Sequence, residues 1–167
     1  MKLFIAQTLD GFIAGRDDSL DHLDAFAGND YGYDAFIASV DAVVIGRRTF
    51  DRIVPQHGWT YPAHVAGHVL TRRPLPDGLP PRVSAVTSLE AVAALAPDAF
   101  LDGGADTIRQ ALERGLVRSA RIFTLPIRIG AGIRLFEEAQ PCRDRWTLES
   151  VRSFACGTTE ASYRIGG

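Results

Sequence analysis

The sequence predicts an α/β fold in which helices cover both faces of a mostly parallel sheet. Two observations carry this prediction. Short apolar runs alternate with amphipathic segments from the start of the chain to residue 125, which is the order of repeated strand–helix–strand units. Beyond residue 125, two strand-like segments follow each other with only a short turn between them, which predicts an antiparallel hairpin at the end of the chain.

The predicted strands are short apolar runs bounded by glycine or polar residues. The last two flank a turn at Cys156-Gly157, where glycine favours a tight reversal. We predict strands over residues 2–8, 42–45, 68–71, 83–86, 99–101, 119–125, 146–154 and 158–165.

The predicted helices are segments whose apolar residues recur on one face. Ser88 is expected to cap one of them, with Glu90 in its first turn, and another is expected to stop at Pro55. We predict helices over residues 33–40, 49–54, 88–95 and 105–113, and loops over 16–30, 57–67 and the proline-rich stretch 74–82.

Composition limits the kinds of partner. The chain has 167 residues, which suits a single domain over 1–167, and its net charge of −2 gives no bulk attraction to nucleic acid or to an anionic membrane.

No apolar run approaches the ~20 residues that span a bilayer. The start of the chain is a poor signal peptide, so we expect a cytoplasmic protein. Cys142 and Cys156 are compatible with a single disulfide. They do not have the spacing of metal ligands.

Two glycine features each follow a predicted strand and precede a predicted helix. Gly46 is one, and the pair Gly103-Gly104 is the other. Ligands of parallel sheets sit outside the carboxyl ends of the strands, where a helix N-terminus offers free N–H groups to a phosphate and glycine allows close approach. Two such sites suit a dinucleotide diphosphate, while plain turns explain each of them equally well. Neither matches the glycine spacing of a Rossmann domain or a P-loop.

Arginine pairs stand beside the first glycine feature and after the next strand. Arg47 and Arg48 follow Gly46, and Arg72 and Arg73 follow the strand at 68–71. If the two strands are parallel neighbours, both pairs converge on one phosphate, and the 2′-phosphate of an NADP-type cofactor is the dianion we expect there. Solvated surface arginines are the alternative, since Lys2 is the single lysine of an arginine-rich chain.

Acid–base residues are sparse. No histidine pairs with a serine or cysteine at a nucleophile motif, which argues against covalent hydrolase chemistry. Asp30 and Asp34 flank the first predicted helix and are our candidates for a catalytic acid, although caps or surface charges account for them as well. Hydride transfer needs little from the protein beyond placement and electrostatics, so it agrees with this inventory.

The motifs, taken together and in order, resemble the dihydrofolate reductase-like superfamily. The resemblance is strongest to the branch that contains the reductase domain of bacterial riboflavin biosynthesis. It rests on TLDGFIAG at 8–15, VVIGRRTF at 43–50, VLTRR at 69–73, FLDGGADTIRQALE at 100–113 and PIRIGAGIRLF at 126–136. It implies a three-layer sandwich fold, NADPH as cofactor and a homodimer.

The same resemblance assigns residues around the cofactor by motif position. Asp10-Gly11 would begin a mobile loop over the reaction centre, and the nicotinamide would lie beside Ala6 and Gln7. The diphosphate and the approach to the 2′-phosphate would fall to Gly46, Arg47, Arg48 and Thr49. The adenosine side would be lined by Leu70, Thr71 and Arg72, and the second helix N-terminus would hold the diphosphate through Gly103, Gly104, Ala105 and Thr107.

The resemblance also implies the substrate class. The stretch at 126–136 is similar to the riboflavin-type reductases, so we expect a small heterocyclic substrate, most like that of 5-amino-6-(5-phosphoribosylamino)uracil reductase. No zinc-deaminase signature accompanies the reductase motifs. Dihydrofolate reduction and a non-catalytic NADPH-binding module are the alternatives.

Overall fold

A computed structural model of the chain describes residues 1–136 and 145–166. These residues form two compact units, one built from residues 1–2 and 32–116, the other from residues 3–31 and the described residues from 117 onward. Cys142 lies outside the described residues, so the possible disulfide stays a prediction, as does the single domain over 1–167. No helix in the described ranges is both long and apolar enough to cross a membrane.

The first unit is built on four parallel strands. Their order is β5-β4-β3-β6, and each neighbouring pair runs parallel. The strands are β3 (Ala42–Gly46), β4 (Ala66–Leu70), β5 (Val83–Val86) and β6 (Phe100–Gly103). The helices of this unit are α1 (Tyr33–Ile37), α2 (Arg47–His57), α3 (Leu89–Leu95) and α4 (Ala105–Glu113).

Strand β3 is the centre of this unit. Val43, Val44 and Ile45 are fully buried, because β3 has a neighbouring strand on each side and its side chains find apolar partners on both faces. Phe50 of α2 and Val69 of β4 join Ile45 in one buried cluster.

The second unit carries the antiparallel end of the chain. Its strands β1 (Lys2–Thr8), β7 (Ser119–Leu125), β9 (Trp146–Ser153) and β10 (Thr159–Ile165) take the order β1-β7-β10-β9, and β10 is antiparallel to both neighbours. A separate antiparallel pair joins β2 (Phe12–Ala14) to β8 (Ile133–Arg134), and a 3₁₀ helix covers Asp21–Phe26. The predicted α/β class, with a mostly parallel sheet and a C-terminal antiparallel hairpin, is confirmed.

Helix α2 corrects one prediction. It covers Arg47–His57 rather than 49–54, so it begins immediately after Gly46 and continues through Pro55. Proline inside a helix removes one backbone hydrogen bond and crowds the carbonyl group four residues earlier, and α2 continues for only two residues beyond Pro55. The helix stops at Gly58, whose φ of 71° breaks the helical path while its N–H donates to the Val54 carbonyl oxygen at 2.8 Å.

Two predicted strands are shifted. The strand predicted over 68–71 is β4, Ala66–Leu70, because its pairing with β3 begins at Ala42 opposite Ala66. The strand predicted over 99–101 is β6, Phe100–Gly103, which places Asp102 inside the strand. The segment 16–30, predicted as loop, contains the 3₁₀ helix, whose Phe26 is buried. The helix predicted over 33–40 is shorter, Tyr33–Ile37.

Candidate active site

Two helix N-termini stand at the carboxyl ends of neighbouring parallel strands in the first unit. Helix α2 begins directly after β3, and α4 begins one residue after β6. Neither N-terminus receives a side-chain cap, since Gly46 and Gly104 occupy the cap positions. The first-turn N–H groups of both helices, with the positive ends of both macrodipoles, therefore favour an anion at this edge of the sheet.

The two N-termini interlock through glycine and threonine. A Cβ added at Gly46 would collide with the Oγ1 of Thr107 in α4, and a Cβ added at Gly104 would lie 2.8 Å from the Oγ1 of Thr49 in α2. Gly103 has a φ of 134°, a conformation that other residues rarely adopt. Glycine is therefore required here for the close approach of α2 and α4 as well as for backbone conformation. We call the two paired helix N-termini, at Gly46 and Gly104, the anion cradle.

Arg47 and Arg73 meet at one carboxylate. Arg47 Nε lies 2.6 Å from Asp51 Oδ1, and Arg73 Nη2 lies 2.9 Å from Asp51 Oδ2. Arg47 also donates to the carbonyl oxygen of Pro74 at 2.9 Å. The predicted convergence of the arginine-bearing segments after β3 and β4 is therefore present, and Asp51 neutralises part of the charge that they bring together.

The remaining residues after β4 lie at the same edge. Leu70 pairs with Gly46 in the parallel register, and Thr71 Oγ1 accepts a hydrogen bond from the Arg73 N–H at 3.0 Å. Arg72 is exposed, and within 1–136 and 145–166 no ion pair or hydrogen bond of its side chain is found. Arg48 is exposed on the first turn of α2. Two arginines at a helix N-terminus oppose the macrodipole, and Asp51 offsets the charge of Arg47.

Four other predicted site residues belong to the second unit or to α1. Ala6 and Gln7 are half-buried in β1, in the second unit. Asp30 is exposed in the second unit, and Asp34 is exposed in the first turn of α1. The roles assigned to these residues stay predictions.

Asp10 anchors the turn that was predicted to start a mobile loop. Its Oδ1 accepts a hydrogen bond from Thr8 Oγ1 at 2.5 Å, and its Oδ2 accepts one from the Gly130 N–H at 2.8 Å. These bonds, the one from Thr8 above all, hold the pKa of Asp10 below its ordinary value. Asp10 thus ties the β1–β2 turn to the segment that carries Gly130.

Asp102 is a further candidate site residue, which the sequence did not single out. It lies in β6, immediately before Gly103, and burial raises the pKa of its carboxyl group to about 6, although a hydrogen bond from Tyr61 acts in the opposite direction. The residue keeps some exposed surface. An acid inside an apolar run that ends in two glycines was the available signal, and ending the predicted strand at residue 101 obscured it.

Two tyrosine rings pack near Phe100 of β6, two residues before Asp102. The ring centroids of Tyr61 and Tyr33 each lie 6.4 Å from that of Phe100. Tyr33 is 40% exposed, so this group of rings reaches the surface. A partly accessible carboxyl group whose pKa is raised to about 6, two residues before Gly104 at the N-terminus of α4, is a candidate for proton transfer.

Comparison with known proteins identifies the family of this chain. Residues 82–159 match the family model of the RibD C-terminal domain. The chain is 31% identical over 145 residues to the uncharacterized protein YwjB of Bacillus subtilis (strain 168), with 81% of this chain and 82% of that protein covered. This chain belongs to the RibD C-terminal domain family.

Solved structures agree with the family. A "Putative riboflavin biosynthesis protein" from Shewanella sp. PV-4 superimposes with a TM-score of 0.85 at 26% identity, over 99% of this chain and 98% of that one. Dihydrofolate reductase from Enterococcus faecalis, complexed with NADP(H) and RAB-propyl, superimposes with a TM-score of 0.68 at 14% identity, over 99% and 96%. The dihydrofolate reductase-like fold predicted from the motifs is confirmed.

Proposed function

We propose that this chain is an NADPH-dependent reductase that acts on a small heterocyclic substrate. The observation that carries the proposal is the meeting of two uncapped helix N-termini at Gly46 and Gly104, with arginines converging beside them. NADPH, when bound, would supply a hydride. Membership in the RibD C-terminal domain family and a dihydrofolate reductase neighbour that holds NADP(H) support this cofactor.

Different residues of the chain would bind different parts of the cofactor. The backbone N–H groups of the first turns of α2 and α4 would bind the diphosphate, because both turns lack capping side chains. Arg72, which is exposed, and the pair Arg47 and Arg73 would bind the 2′-phosphate, since guanidinium groups bind phosphate in a bidentate manner.

Asp102 would supply the proton for the reduced substrate. Its pKa near 6 lets it hold a proton close to neutral pH and release it to a ring or imine nitrogen. Asp30 and Asp34 are both exposed, whereas Asp102 is partly buried. We therefore favour Asp102 over the two acids selected from the sequence.

A second copy of the chain is the partner we propose besides the substrate. Strand β9 lies at the edge of the strand order in the second unit, and its Leu148 and Val151 are 53% and 64% exposed. An exposed apolar edge strand offers both backbone hydrogen bonds and side chains to another chain. Sedimentation equilibrium should give twice the mass of the chain, and a monomer at all concentrations would contradict the homodimer.

The proposed reaction is tested by following the loss of nicotinamide absorbance with 5-amino-6-(5-phosphoribosylamino)uracil, and with dihydrofolate as the alternative acceptor. We expect turnover with the aminopyrimidine and its loss in Asp102→Asn, while Asp34→Asn serves as the matched control. Turnover with dihydrofolate instead would identify the alternative activity. NADPH binding without turnover of either acceptor would favour a binding module.

A further inference from the structure

The Asp51 carboxylate in α2 uses both of its oxygen atoms to bind two arginines. Its Oδ1 accepts a hydrogen bond from Arg47 Nε at 2.6 Å, and its Oδ2 accepts one from Arg73 Nη2 at 2.9 Å. Arg47 directly follows β3, and Arg73 lies three residues beyond the end of the neighbouring strand β4. Asp51 therefore binds the same two guanidinium groups that we propose as ligands of the 2′-phosphate of NADPH.

These hydrogen bonds engage donors that a phosphate needs. A guanidinium group binds phosphate most strongly with two N–H groups side by side, such as those on Nε and one terminal nitrogen. The Nε of Arg47 carries one hydrogen atom, which it donates to Asp51, while its Nη1 donates to the Pro74 carbonyl oxygen at 2.9 Å. The Nε side of Arg47 is thus closed to a bidentate phosphate contact for as long as Asp51 holds it.

Both arginines also have contacts that do not involve the carboxylate. The guanidinium carbon of Arg47 lies 5.8 Å from the ring centroid of Phe50, which is buried, and the Pro74 carbonyl oxygen accepts from the same guanidinium group. The backbone N–H of Arg73 donates to Thr71 Oγ1 at 3.0 Å, which orders the turn after β4. The two arginines therefore remain at this edge of the sheet when the carboxylate is removed.

Solvent reaches the whole cluster of Arg47, Asp51 and Arg73. The side chain of Asp51 is 40% exposed and that of Arg73 is 65% exposed. Ion pairs this accessible to water contribute little to stability, and a carboxylate that leaves them regains its hydration. A phosphate monoester brings up to two negative charges and three acceptor oxygens, so it is the stronger partner for the same guanidinium groups. Exchange of the carboxylate for a phosphate is therefore favourable here.

We propose that Asp51 is a specificity-determining residue, an internal anion that competes with the 2′-phosphate of NADPH for Arg47 and Arg73. In the free chain it neutralises part of their charge. When NADPH binds, the phosphate displaces the carboxylate, and the two negative groups then repel each other. NADH has no 2′-phosphate and leaves Asp51 in place, so Asp51 reduces the preference for NADPH over NADH. This inference rests on the NADPH binding proposed above.

Calorimetric titration of the full chain with NADPH, NADH and 2′,5′-ADP tests the inference. In Asp51→Asn we expect NADPH and 2′,5′-ADP to bind about threefold to tenfold more tightly, because the competing pair and the repulsion are both lost. NADH affinity should change by less than about twofold.

Two further variants identify the cause of the change. Asp51→Glu keeps a carboxylate at the same place and should restore the wild-type ratio of NADPH to NADH affinity. Asp41→Asn removes an exposed carboxylate immediately before β3, at the opposite end of that strand from α2, and is the matched control for net charge. It should leave the ratio unchanged.

Unchanged or weaker NADPH binding in Asp51→Asn would overturn the inference, since weaker binding would mean that Asp51 holds the arginines in place for the phosphate. An equal gain for NADH, or the same gain in Asp41→Asn, would overturn it as well. A wild-type chain that binds neither NADPH nor NADH contradicts the proposed function instead. The 2′,5′-ADP titration then decides on Asp51 alone, and no gain in Asp51→Asn would overturn the inference too.

Discussion

Thr107 Oγ1 in α4 occupies the space that a side chain at Gly46, the residue before α2, would need. Thr49 in α2 stands in the reciprocal relation to Gly104, the residue before α4. Each helix N-terminus is thus shaped by a threonine of the other helix. The anion cradle therefore depends on both Gly46 and Gly104, and substituting one of these glycines tests its role.

Gly104→Ala should weaken the fold and the cradle together. The new Cβ lies 2.8 Å from Thr49 Oγ1, and we expect a loss of roughly 1–3 kcal/mol in the free energy of unfolding, with reduced NADPH affinity. Urea unfolding and calorimetry measure the two effects. The double variant Thr49→Ala/Gly104→Ala removes the collision and should recover most of the stability. A double variant as unstable as Gly104→Ala would show that the contact with Thr49 is not the cause.

The arginines should determine the choice between NADPH and NADH. We expect Arg72→Ala and Arg47→Ala each to weaken NADPH binding by about tenfold to a hundredfold, because each loses a charge-assisted contact of roughly 1.5–3 kcal/mol. NADH binding should change little. Arg164→Ala, which removes an exposed arginine paired with Glu149 in the second unit, is the control for a general charge effect. Equal losses for both nucleotides would place these arginines away from the 2′-phosphate.

The buried carboxyl group of Asp102 should lower the free energy of unfolding at neutral pH. Its folded-state pKa of about 6 lies above the ordinary 3.8, so the folded chain binds the proton more tightly, and stability falls as the pH rises between these two values. Asp102→Asn removes this cost, and we expect the variant to be more stable above pH 6 by roughly 1–3 kcal/mol. The gain should vanish below about pH 4. Unfolding curves over a pH series measure this, and a gain independent of pH would contradict the assignment.

Asp10 should show the opposite dependence. The pKa of its carboxyl group is lowered, chiefly by the hydrogen bond from Thr8, so its contribution is present above the ordinary value of 3.8 and is lost as the pH falls through the lower folded-state value. Asp10→Asn should lower the melting temperature at neutral pH, and the difference should shrink below about pH 4. Asp77→Asn, on an exposed turn, is the control. An equal effect of both substitutions would contradict a stabilising role of the Asp10 hydrogen bonds.

Local signals were sufficient for much of the fold. Helix α4 and strands β1, β5 and β7 have the predicted bounds, and Ser88 caps α3 as predicted, accepting a hydrogen bond from the Ala91 N–H at 3.1 Å. Helix α2 was predicted too short, because its cap is a glycine without a side-chain signal and because proline normally marks an end.

The sequence predicted only part of the site, because some of its residues act through contacts with distant parts of the chain. The glycines and arginines were visible because each follows an apolar run directly. Asp51 was not identified, since its role depends on Arg73, which lies 22 residues further along the chain. Asp102 was missed because its pKa depends on burial and on Tyr61, which comes from a segment without periodicity. Contacts between distant residues decide such roles, and periodicity carries no information about them.

The most direct test of the central claim is a calorimetric titration of the wild-type chain with NADPH and with NADH under identical conditions. We expect one NADPH to bind per chain, with an affinity at least about tenfold higher than that for NADH, a difference of roughly 1.4 kcal/mol. Equal affinities would contradict the arginine recognition of the 2′-phosphate. Absence of binding by either nucleotide would contradict the proposal that the paired helix N-termini hold a dinucleotide.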